Sequence, residues 1–224
     1  MQFQRIGIVS GVEDELASFL PDQTRRKITD LSVPIDAVTL GDKEVFLICA
    51  GIGKVAAATA AALLHAHCGV ELLAVVGTAG KIGRIEGDLF NITEAVQADY
   101  GAQRPEGLIH YTAGSWPIGP SRLQAFEAME LPVPALPTAR IATSDLFVEC
   151  SQHAERVHTL LGATLVDMET AAVAQTAQML GLPWVAIKAT TDEAGNDSAG
   201  SFVANLKAAA RASAAALEDA LARI

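Results

Sequence analysis

ATLVDMETAAVAQTAQMLGLPWVAIKATTDEAGN, residues 163–196, is the stretch of the chain that decides its fold. A short apolar run at 164–166 leads into an Ala-rich segment, which is typical of a helix and ends at the Gly-Leu-Pro of 181–183. A second apolar run, at 184–187, follows that helix directly. This order of strand, helix and strand is typical of an α/β sheet.

Polar side chains follow each of the two predicted strands. Asp167, Met168 and Glu169 come directly after the first strand, and Lys188 and Asp192 come after the second. Ligands of open α/β sheets bind in the crevice outside the carboxyl ends of the strands. We therefore expect the carboxylates of Glu169 and Asp192 to face one small ligand.

Length and composition indicate one large α/β domain that spans residues 1–224. Half of the residues are apolar and few are aromatic, which suits helices that pack tightly on a sheet. The net charge of −10 disfavours binding to the phosphate backbone of nucleic acids. We predict a three-layer α/β/α sandwich around a central mixed, mainly parallel sheet.

The cysteines and the N-terminus indicate a protein of a reducing compartment. Cys49, Cys68 and Cys150 are far apart and match no metal-ligand spacing, and we expect neither a metal nor a cofactor. The apolar run at 6–9 is too short for a signal peptide, and no run approaches the length of a membrane span. We expect a cytoplasmic protein with no membrane partner.

A competing interpretation comes from residues 50–56, AGIGKVA, which match the G-x-G-x-x-A motif of a dinucleotide-binding fold. That fold also needs an acid at the end of the next strand, where it binds a ribose hydroxyl. The next strand is predicted at 72–76, and the loop predicted at 77–80 contains Thr78 but no acid. This absence weakens the interpretation as a nicotinamide-dependent oxidoreductase, and the second small-residue loop would form either a plain turn or the floor of a sugar site.

The remaining segments contain a run of acids, a long loop and two further helices. The acids at 13–15 follow the first strand, where the helix dipole would favour them even without a function. Residues 97–120 are predicted as an irregular loop with aromatic side chains, which is typical of a lid or an oligomer contact. Residues 121–129 and 201–222 are predicted as helices.

Six short segments at the predicted strand ends share their order and spacing with a known family. The segments are VSGVEDEL (9–16), AGIGKVAAA (50–58), VVGTAGKIG (75–83), TSDLFV (143–148), VDMETAA (166–172) and ATTDEAGN (189–196). Together they resemble the purine nucleoside phosphorylase/hydrolase superfamily, and most closely its 5′-methylthioadenosine/S-adenosylhomocysteine nucleosidases. The resemblance covers nearly the whole chain and is weakest at 97–120.

The resemblance implies that the enzyme hydrolyses an N-glycosidic bond, with three carboxyl groups in different roles. Glu15 would activate the attacking water, Asp192 would donate a proton toward N7 of the purine, and Glu169 would accept hydrogen bonds from the ribose hydroxyls. Cleavage places positive charge on the ribose and negative charge on the leaving base. An acid beside the base and a carboxylate beside the sugar therefore each assist the reaction.

The resemblance also implies which other residues bind the substrate. Met168 would pack on the sugar, and Thr78 would lie beside it. Phe147 would stack on the purine, and Val148 would present backbone hydrogen bonds to it. Lys188 stands where the family has an arginine and is predicted to bind substrate as well.

The first loop and the strand before 77–80 favour water over phosphate as the nucleophile. Phosphorylases of this superfamily bind phosphate through arginines, one of them directly before the Gly-Thr loop. Val75 and Val76 occupy that place here, and the acids at 13–15 would repel a phosphate dianion. Hydrolysis is the favoured reaction, and a phosphate-dependent phosphorylase is the alternative.

Three departures from the family pattern leave the 5′-substituent of the nucleoside open. Asp167 stands where the nucleosidases usually have glutamate, and Lys188 cannot reproduce the bidentate contacts of arginine. The loop at 98–107 looks more like that of futalosine hydrolases, which are an alternative, and a catalytically silent nucleoside-binding protein is another. Because relatives are commonly dimers, we expect a homodimer with 97–120 at its contact.

Overall fold

Twelve strands and five helices form within residues 2–133 and 135–224, which the computed structural model describes. The strands are β1 (Arg5–Ser10), β2 (Arg26–Lys27), β3 (Asp36–Leu40), β4 (Lys43–Cys49), β5 (Leu72–Lys81), β6 (Leu89–Gln97), β7 (Gly101–Arg104), β8 (Gly107–His110), β9 (Phe126–Glu127), β10 (Thr138–Thr143), β11 (Leu165–Asp167) and β12 (Trp184–Asp192). The helices are α1 (Glu13–Ala17), α2 (Lys54–Cys68), α3 (Ser151–Leu161), α4 (Thr170–Leu180) and α5 (Ser198–Leu221).

Ten of these strands form one mixed sheet, in the order β11-β10-β6-β12-β5-β1-β4-β3-β2 with β9 paired to β6. The pairs β1–β4, β1–β5, β5–β12, β6–β10 and β10–β11 are parallel and contain most of the paired residues. The other pairs are antiparallel, including a short one between the end of β5 and β11. The mixed, mainly parallel sheet predicted from the sequence is confirmed.

Helices cover both faces of this sheet, because successive side chains of a strand point to opposite faces. In β5, Leu73 and Val75 belong to one apolar cluster with buried alanines of α2 and α4. Ala74 and Val76 belong to another, with Leu16 of α1 and the apolar face of α5. The fold is therefore the predicted three-layer α/β/α sandwich.

The longest helix, α5, lies against β12 and β5. Its buried residues Ala210, Ala214, Leu217 and Leu221 recur every three or four positions, which places them on one face of the helix. Among the residues that the structure describes, no helix is both long and apolar enough to cross a membrane.

The stretch at 163–196 forms the predicted strand, helix and strand as β11, α4 and β12. In the sheet, β10 and β6 lie between the two strands. β12 is longer than the apolar run that predicted it, because it pairs with β5 as far as Asp192 opposite Gly80. Lys188 and Asp192 therefore lie within a strand and do not belong to the loop that follows it.

The loop predicted at 77–80 is also wrong, because these residues continue β5. Their backbone pairs in parallel with 188–192 of β12, so the strand does not end at Val76. Small residues inside a strand often mark the close approach of another group. The carboxylate of Glu15 is that group, as the next subsection describes.

The helix predicted at 121–129 does not form. The only regular element there in the described chain is β9, which pairs with Glu94 and Ala95 of β6 and buries Phe126. Pairing with β6 satisfies this backbone where helical bonds would otherwise do so. Residues 97–120 are more regular than predicted, since β7 and β8 form an antiparallel hairpin within them.

Candidate active site

A pocket lies at the carboxyl ends of β11 and β12, where the sequence predicts the ligand crevice. Parts of α1, β5, the turn before α2, the loop after β10 and the start of α5 complete its wall. Seven of the eight predicted site residues line it: Glu15, Thr78, Phe147, Val148, Met168, Glu169 and Asp192. The other lining residues are Val12, Ile52, Ala79, Gly80, Leu146, Val166, Asp167, Thr191 and Phe202.

The carboxylate of Glu15 is buried and held by three hydrogen bonds. The hydroxyl of Ser10 donates to its Oε2 at 2.8 Å. The backbone N–H and the hydroxyl of Thr78 donate to its Oε1 at 2.8 and 2.7 Å. Hydrogen bonds to an ionised acceptor are the strong ones, so these donors fix the orientation of the carboxylate at the pocket wall.

Gly77 makes room for that carboxylate. A Cβ atom at position 77 would lie 2.5 Å from Oε2 of Glu15, well inside van der Waals contact. The φ of Gly77 is +142°, which side chains rarely adopt. The small-residue segment noted in the sequence therefore brings β5 against the acid of α1.

Glu169 precedes α4 and is packed between two other glycine-bearing loops. Its Oε1 accepts a hydrogen bond from the backbone N–H of Gly53 at 3.0 Å. A Cβ atom at Gly11 would lie 2.8 Å from the same oxygen. The glycines of the first loop and of the AGIGKVA segment thus allow backbone to approach this carboxylate, which accounts for a motif that suggested a dinucleotide site.

The pKa of Glu169 is raised from 4.5 to about 7. Burial is the main cause, and the nearby carboxylates of Asp167 and Glu15 act in the same direction. The ammonium group of Lys188 and the N–H of Gly53 oppose the shift, because each favours the ionised form. Glu169 therefore changes its charge near neutral pH.

Asp192 ends β12 and lines the pocket. The hydroxyl of Thr191 donates to its Oδ2 at 2.8 Å, and the backbone N–H of Ala194 donates to its Oδ1 at 2.9 Å. The strand pairing shifts register between Thr190 and Asp192. These contacts hold the side chain at a fixed place beside Gly80, where a Cβ atom would lie 3.2 Å from Oδ1.

A buried ion pair lies near Glu15 and Glu169. Nζ of Lys188 is 3.1 Å from Oδ2 of Asp167, and both side chains are 2% exposed. Asp167 also accepts bonds from the hydroxyl of Thr143 and from the N–H and hydroxyl of Thr170. Burial alone would lower the pKa of Lys188, but the surrounding carboxylates outweigh it and the pKa is raised. Lys188 is therefore charged.

The predicted role of Lys188 as a substrate-binding residue does not fit its position. Its side chain is 1% exposed and is not part of the pocket lining, because β12 directs it toward Asp167 behind the wall. Lys188 can affect a ligand only through the carboxylates that it contacts or faces. The sequence pattern gave the residue but not the direction of its side chain.

Aromatic side chains form the outer wall of the pocket. Phe147, 47% exposed, meets the ring of Phe202 edge to face, with centroids 6.0 Å apart. The sequence interpretation found no chemistry in the last helix and missed Phe202. An aromatic residue in the first turns of an otherwise Ala-rich helix is the signal that could have found it. The two ring planes lie at 78° to each other and together form an apolar wall, which suits packing of a base or another ring.

Comparison with known proteins decides the family. A family profile described as "Phosphorylase superfamily" matches residues 5–222, nearly the whole chain. The chain belongs to the phosphorylase superfamily. A 5′-methylthioadenosine/S-adenosylhomocysteine nucleosidase of Mycobacterium bovis is 28% identical over 228 residues, and the match covers 88% of this chain and 89% of that protein.

Solved structures of the superfamily share the fold along the full chain. A 5′-methylthioadenosine/S-adenosylhomocysteine nucleosidase from S. pneumoniae, with a transition-state inhibitor, is 26% identical with a TM-score of 0.84, covering 98% of this chain and 99% of that one. A futalosine hydrolase of Helicobacter pylori has a TM-score of 0.86 over 99% and 100% of the two chains. Its 23% identity indicates a shared fold alone. The family predicted from the sequence is confirmed, and the predicted class of enzyme, a nucleosidase, agrees with these names.

Two of the departures from the pattern of the superfamily turn out to be in contact. They are Asp167 and Lys188, whose side chains form the buried ion pair with each other. Each side chain therefore neutralises the charge of the other in the interior.

Proposed function

We propose that this member of the phosphorylase superfamily is a nucleosidase that hydrolyses the N-glycosidic bond of a 5′-modified purine nucleoside, of the methylthioadenosine and S-adenosylhomocysteine class. The observation that carries the proposal is the meeting of Glu15, Glu169 and Asp192 in one pocket with an aromatic outer wall. The names of the relatives support the same activity. The site needs no metal or cofactor for this reaction.

The three carboxyl groups divide the work of bond cleavage between them. Asp192 donates its proton to N7 of the purine, so that the base leaves without a negative charge. Glu169 accepts hydrogen bonds from the ribose hydroxyls, and Met168 packs on the sugar. Glu15 takes a proton from the water that attacks the positively charged ribose carbon. Thr78, which holds Glu15, lies beside the sugar, while Phe147 and Val148 bind the purine.

The composition of the pocket favours water over phosphate as the nucleophile. Among the described residues that line it there is neither an arginine nor a lysine, whereas four of the lining residues are acids. A phosphate dianion would lose its hydration there without gaining a cation in return. Lys188 is held behind the wall by Asp167 and is not available to bind it.

A panel of nucleosides tests the proposal. We expect the purified protein to release adenine from methylthioadenosine or S-adenosylhomocysteine at the same rate with and without phosphate, as measured by chromatography of the free base. Futalosine and inosine complete the panel. Release from futalosine alone would assign the related hydrolase activity, and strict dependence on phosphate would assign a phosphorylase. If no substrate released its base, the proposed enzyme activity would be wrong, and a nucleoside-binding protein would be the remaining interpretation.

Glu169 should make kcat/KM depend on pH near neutrality. Its carboxyl group must be ionised to accept bonds from the ribose hydroxyls, and its pKa is raised to about 7. We therefore expect kcat/KM to fall as the pH drops through about 7, measured from about pH 9 to about pH 5. We refer to this fall as the acid limb of the pH profile. Glu169→Gln should have a lower kcat/KM and should lack the acid limb. An identical limb in the variant would assign the titration to another group.

The same pKa shift predicts that stability changes with pH in the direction opposite to that of kcat/KM. A carboxyl group whose pKa is raised in the folded state stabilises that state at low pH, and the contribution is lost as the pH rises from 4.5 through about 7. The urea midpoint of the unmutated protein should therefore fall relative to that of Glu169→Gln across this range. A constant difference between the two midpoints would show that the pKa of Glu169 is the same in the folded and the unfolded state.

In addition to the nucleoside, we propose a second copy of the chain as a binding partner. The loop at 97–120 exposes Trp116 and Ile118, which are 81% and 68% exposed. Large apolar side chains exposed together are typical of a contact surface. Light scattering in solution checks this expectation, and a monomer at all concentrations would contradict it. A cytoplasmic location stays a prediction from the sequence.

A further inference from the structure

Three loops meet at the mouth of the pocket through a closed ring of polar contacts. Nζ of Lys54 lies 2.5 Å from Oδ1 of Asp99. The backbone N–H of Asp145 donates to Oδ2 of Asp99 at 3.1 Å. The backbone N–H of Lys54 donates to Oδ1 of Asp145 at 2.7 Å, which closes the ring. We refer to Lys54, Asp99 and Asp145 as the loop clasp.

The loop clasp connects elements that are distant in the sequence. Lys54 begins α2, Asp99 follows β6, and Asp145 follows β10. None of the three residues lines the pocket. Their contacts therefore hold the chain beside the ligand and do not touch the ligand itself.

Two of the three loops that the clasp joins carry a neighbour with a place in the site. Gly53, next to Lys54, donates its N–H to Oε1 of Glu169. Leu146 and Phe147, next to Asp145, line the pocket. A side chain at position 53 would crowd the clasp, because a Cβ atom there would lie 3.1 Å from Oδ1 of Asp145. The φ of Gly53 is +108°, which side chains rarely adopt. A displacement of the clasp would move both the donor to Glu169 and the aromatic wall.

The ion pair of the clasp is better shielded from solvent than an ordinary surface ion pair, although Asp145 itself is exposed. The side chains of Lys54 and Asp99 are 21% and 26% exposed, compared with 60% and 91% for the surface pair of Lys27 and Asp30. Asp99 uses both oxygens and Asp145 accepts at a helix start, so the contacts are charge-assisted and directional. Such contacts fix geometry more strongly than exposed pairs do.

We propose that the loop clasp is a positioning device, which holds the N–H of Gly53 on Glu169 and the Phe147 loop against the purine. The proposal rests on the proposed nucleosidase function, because it assigns the residues that set the shape of that site. Lys54, Asp99 and Asp145 are thus positioning residues for binding, and none of them takes part in the transfer of a proton.

Asp99→Asn and Lys54→Met test the loop clasp. Loss of one charged hydrogen bond is worth roughly a factor of 10 or more in an equilibrium. We expect KM for methylthioadenosine to rise about 10-fold in each variant while kcat changes by less than about 3-fold. Asp30→Asn is the matched control, because it also removes an acid that pairs with a lysine, at an exposed position.

The dependence of kcat/KM on pH distinguishes positioning of the site from a role in stability alone, because a loss of stability would not shift it. Glu169 also faces Asp167 of β11, Lys188 of β12 and Glu15 of α1, and the substitutions leave all three unchanged. Only the N–H of Gly53 would move away, and this group favours the ionised carboxylate. The acid limb of kcat/KM should therefore shift to higher pH in both clasp variants and stay in place in Asp30→Asn.

Amide hydrogen exchange separates failure of the clasp from failure of the nucleosidase proposal. Exchange at 50–54 and 144–148 should become faster in the clasp variants, and this measurement needs no activity. If the unmutated protein releases no base, the nucleosidase proposal fails while the exchange result still decides whether the clasp holds the loops. Unchanged exchange, KM and pH limb in folded clasp variants would overturn the inference. Activity lost only in proportion to unfolded protein, as measured by circular dichroism, would overturn it as well.

Discussion

Asp192→Asn should lower kcat for release of adenine by about 10²–10⁴-fold, the usual contribution of one general acid. Asparagine keeps the size and the hydrogen-bonding oxygen of the side chain, but it has no acidic proton to donate to N7. The amide oxygen can still accept from the N–H of Ala194, and the amide NH2 in the place of Oδ2 can donate to the hydroxyl of Thr191, so the variant should fold. KM should change little, because the lost interaction forms only in the transition state.

Glu193→Gln is the control for this prediction. Glu193 is the next residue, but its side chain is 78% exposed and its contact is with Lys81. We expect this variant to keep the kcat of the unmutated protein. Equal losses in both variants would point to the loop as a whole, and a kcat within a few-fold of the original in Asp192→Asn would show that another group protonates the base.

A substrate with a better leaving group provides a second check on Asp192. A nitrophenyl riboside releases a stable anion, which needs no proton. Asp192→Asn should therefore be much less damaging with this substrate than with an adenine nucleoside. Equal damage with both would mean that Asp192 acts on binding or on the sugar.

Several strands and the acids near their carboxyl ends could be predicted from the sequence because both signals are local. Apolar runs bounded by polar residues placed β1, β11 and the start of β12, and the acids beside them met in the pocket as expected. The parallel sheet does the rest, because it aligns the carboxyl ends of its strands at one edge. Glu15 and Asp192 are far apart in the sequence and still line one pocket.

The features that the sequence did not reveal depend on contacts between distant segments. β12 runs past Ile187 because Lys188 and Ala189 pair with Phe90 and Leu89 of β6 as well as with β5. The apolar spacing at 121–129 suggested a helix, but part of this segment pairs with β6 as β9. Phe202 reaches the pocket only because α5 packs beside it. None of these partners lies within the short stretch of sequence over which hydrophobic periodicity predicts secondary structure.

Lys188→Met should lower the free energy of unfolding by about 3–5 kcal/mol, because it breaks a buried ion pair and leaves one charge without a partner. Methionine fills most of the volume of lysine, so the loss would come from the carboxylate of Asp167, whose side chain is 2% exposed. Urea titration measures the change. A loss of this size is a large part of the usual 5–15 kcal/mol of a domain, and the variant should be studied well below its midpoint.

Three further variants separate charge from size at this position. Lys27→Met removes the lysine of an exposed pair and should unfold at the same urea concentration as the unmutated protein. Lys188→Arg keeps the charge but needs more room beside the short Asp167, so we expect a loss of stability from crowding. Lys188→Met combined with Asp167→Asn should recover part of the stability, since it removes the unpaired charge. No recovery in the double variant would show that the volume of Lys188 matters more than its charge.

Lys188 should also act on the reaction through Glu169, although it does not touch the pocket. Its ammonium group favours the ionised form of Glu169 and holds the pKa of that carboxyl group below the value that burial and the other acids would give. In folded Lys188→Met the acid limb of kcat/KM should therefore move to higher pH. A limb that stays near pH 7 would mean that Lys188 serves stability alone. A shift with the original kcat at high pH would make Lys188 the residue that keeps Glu169 ionised at neutral pH.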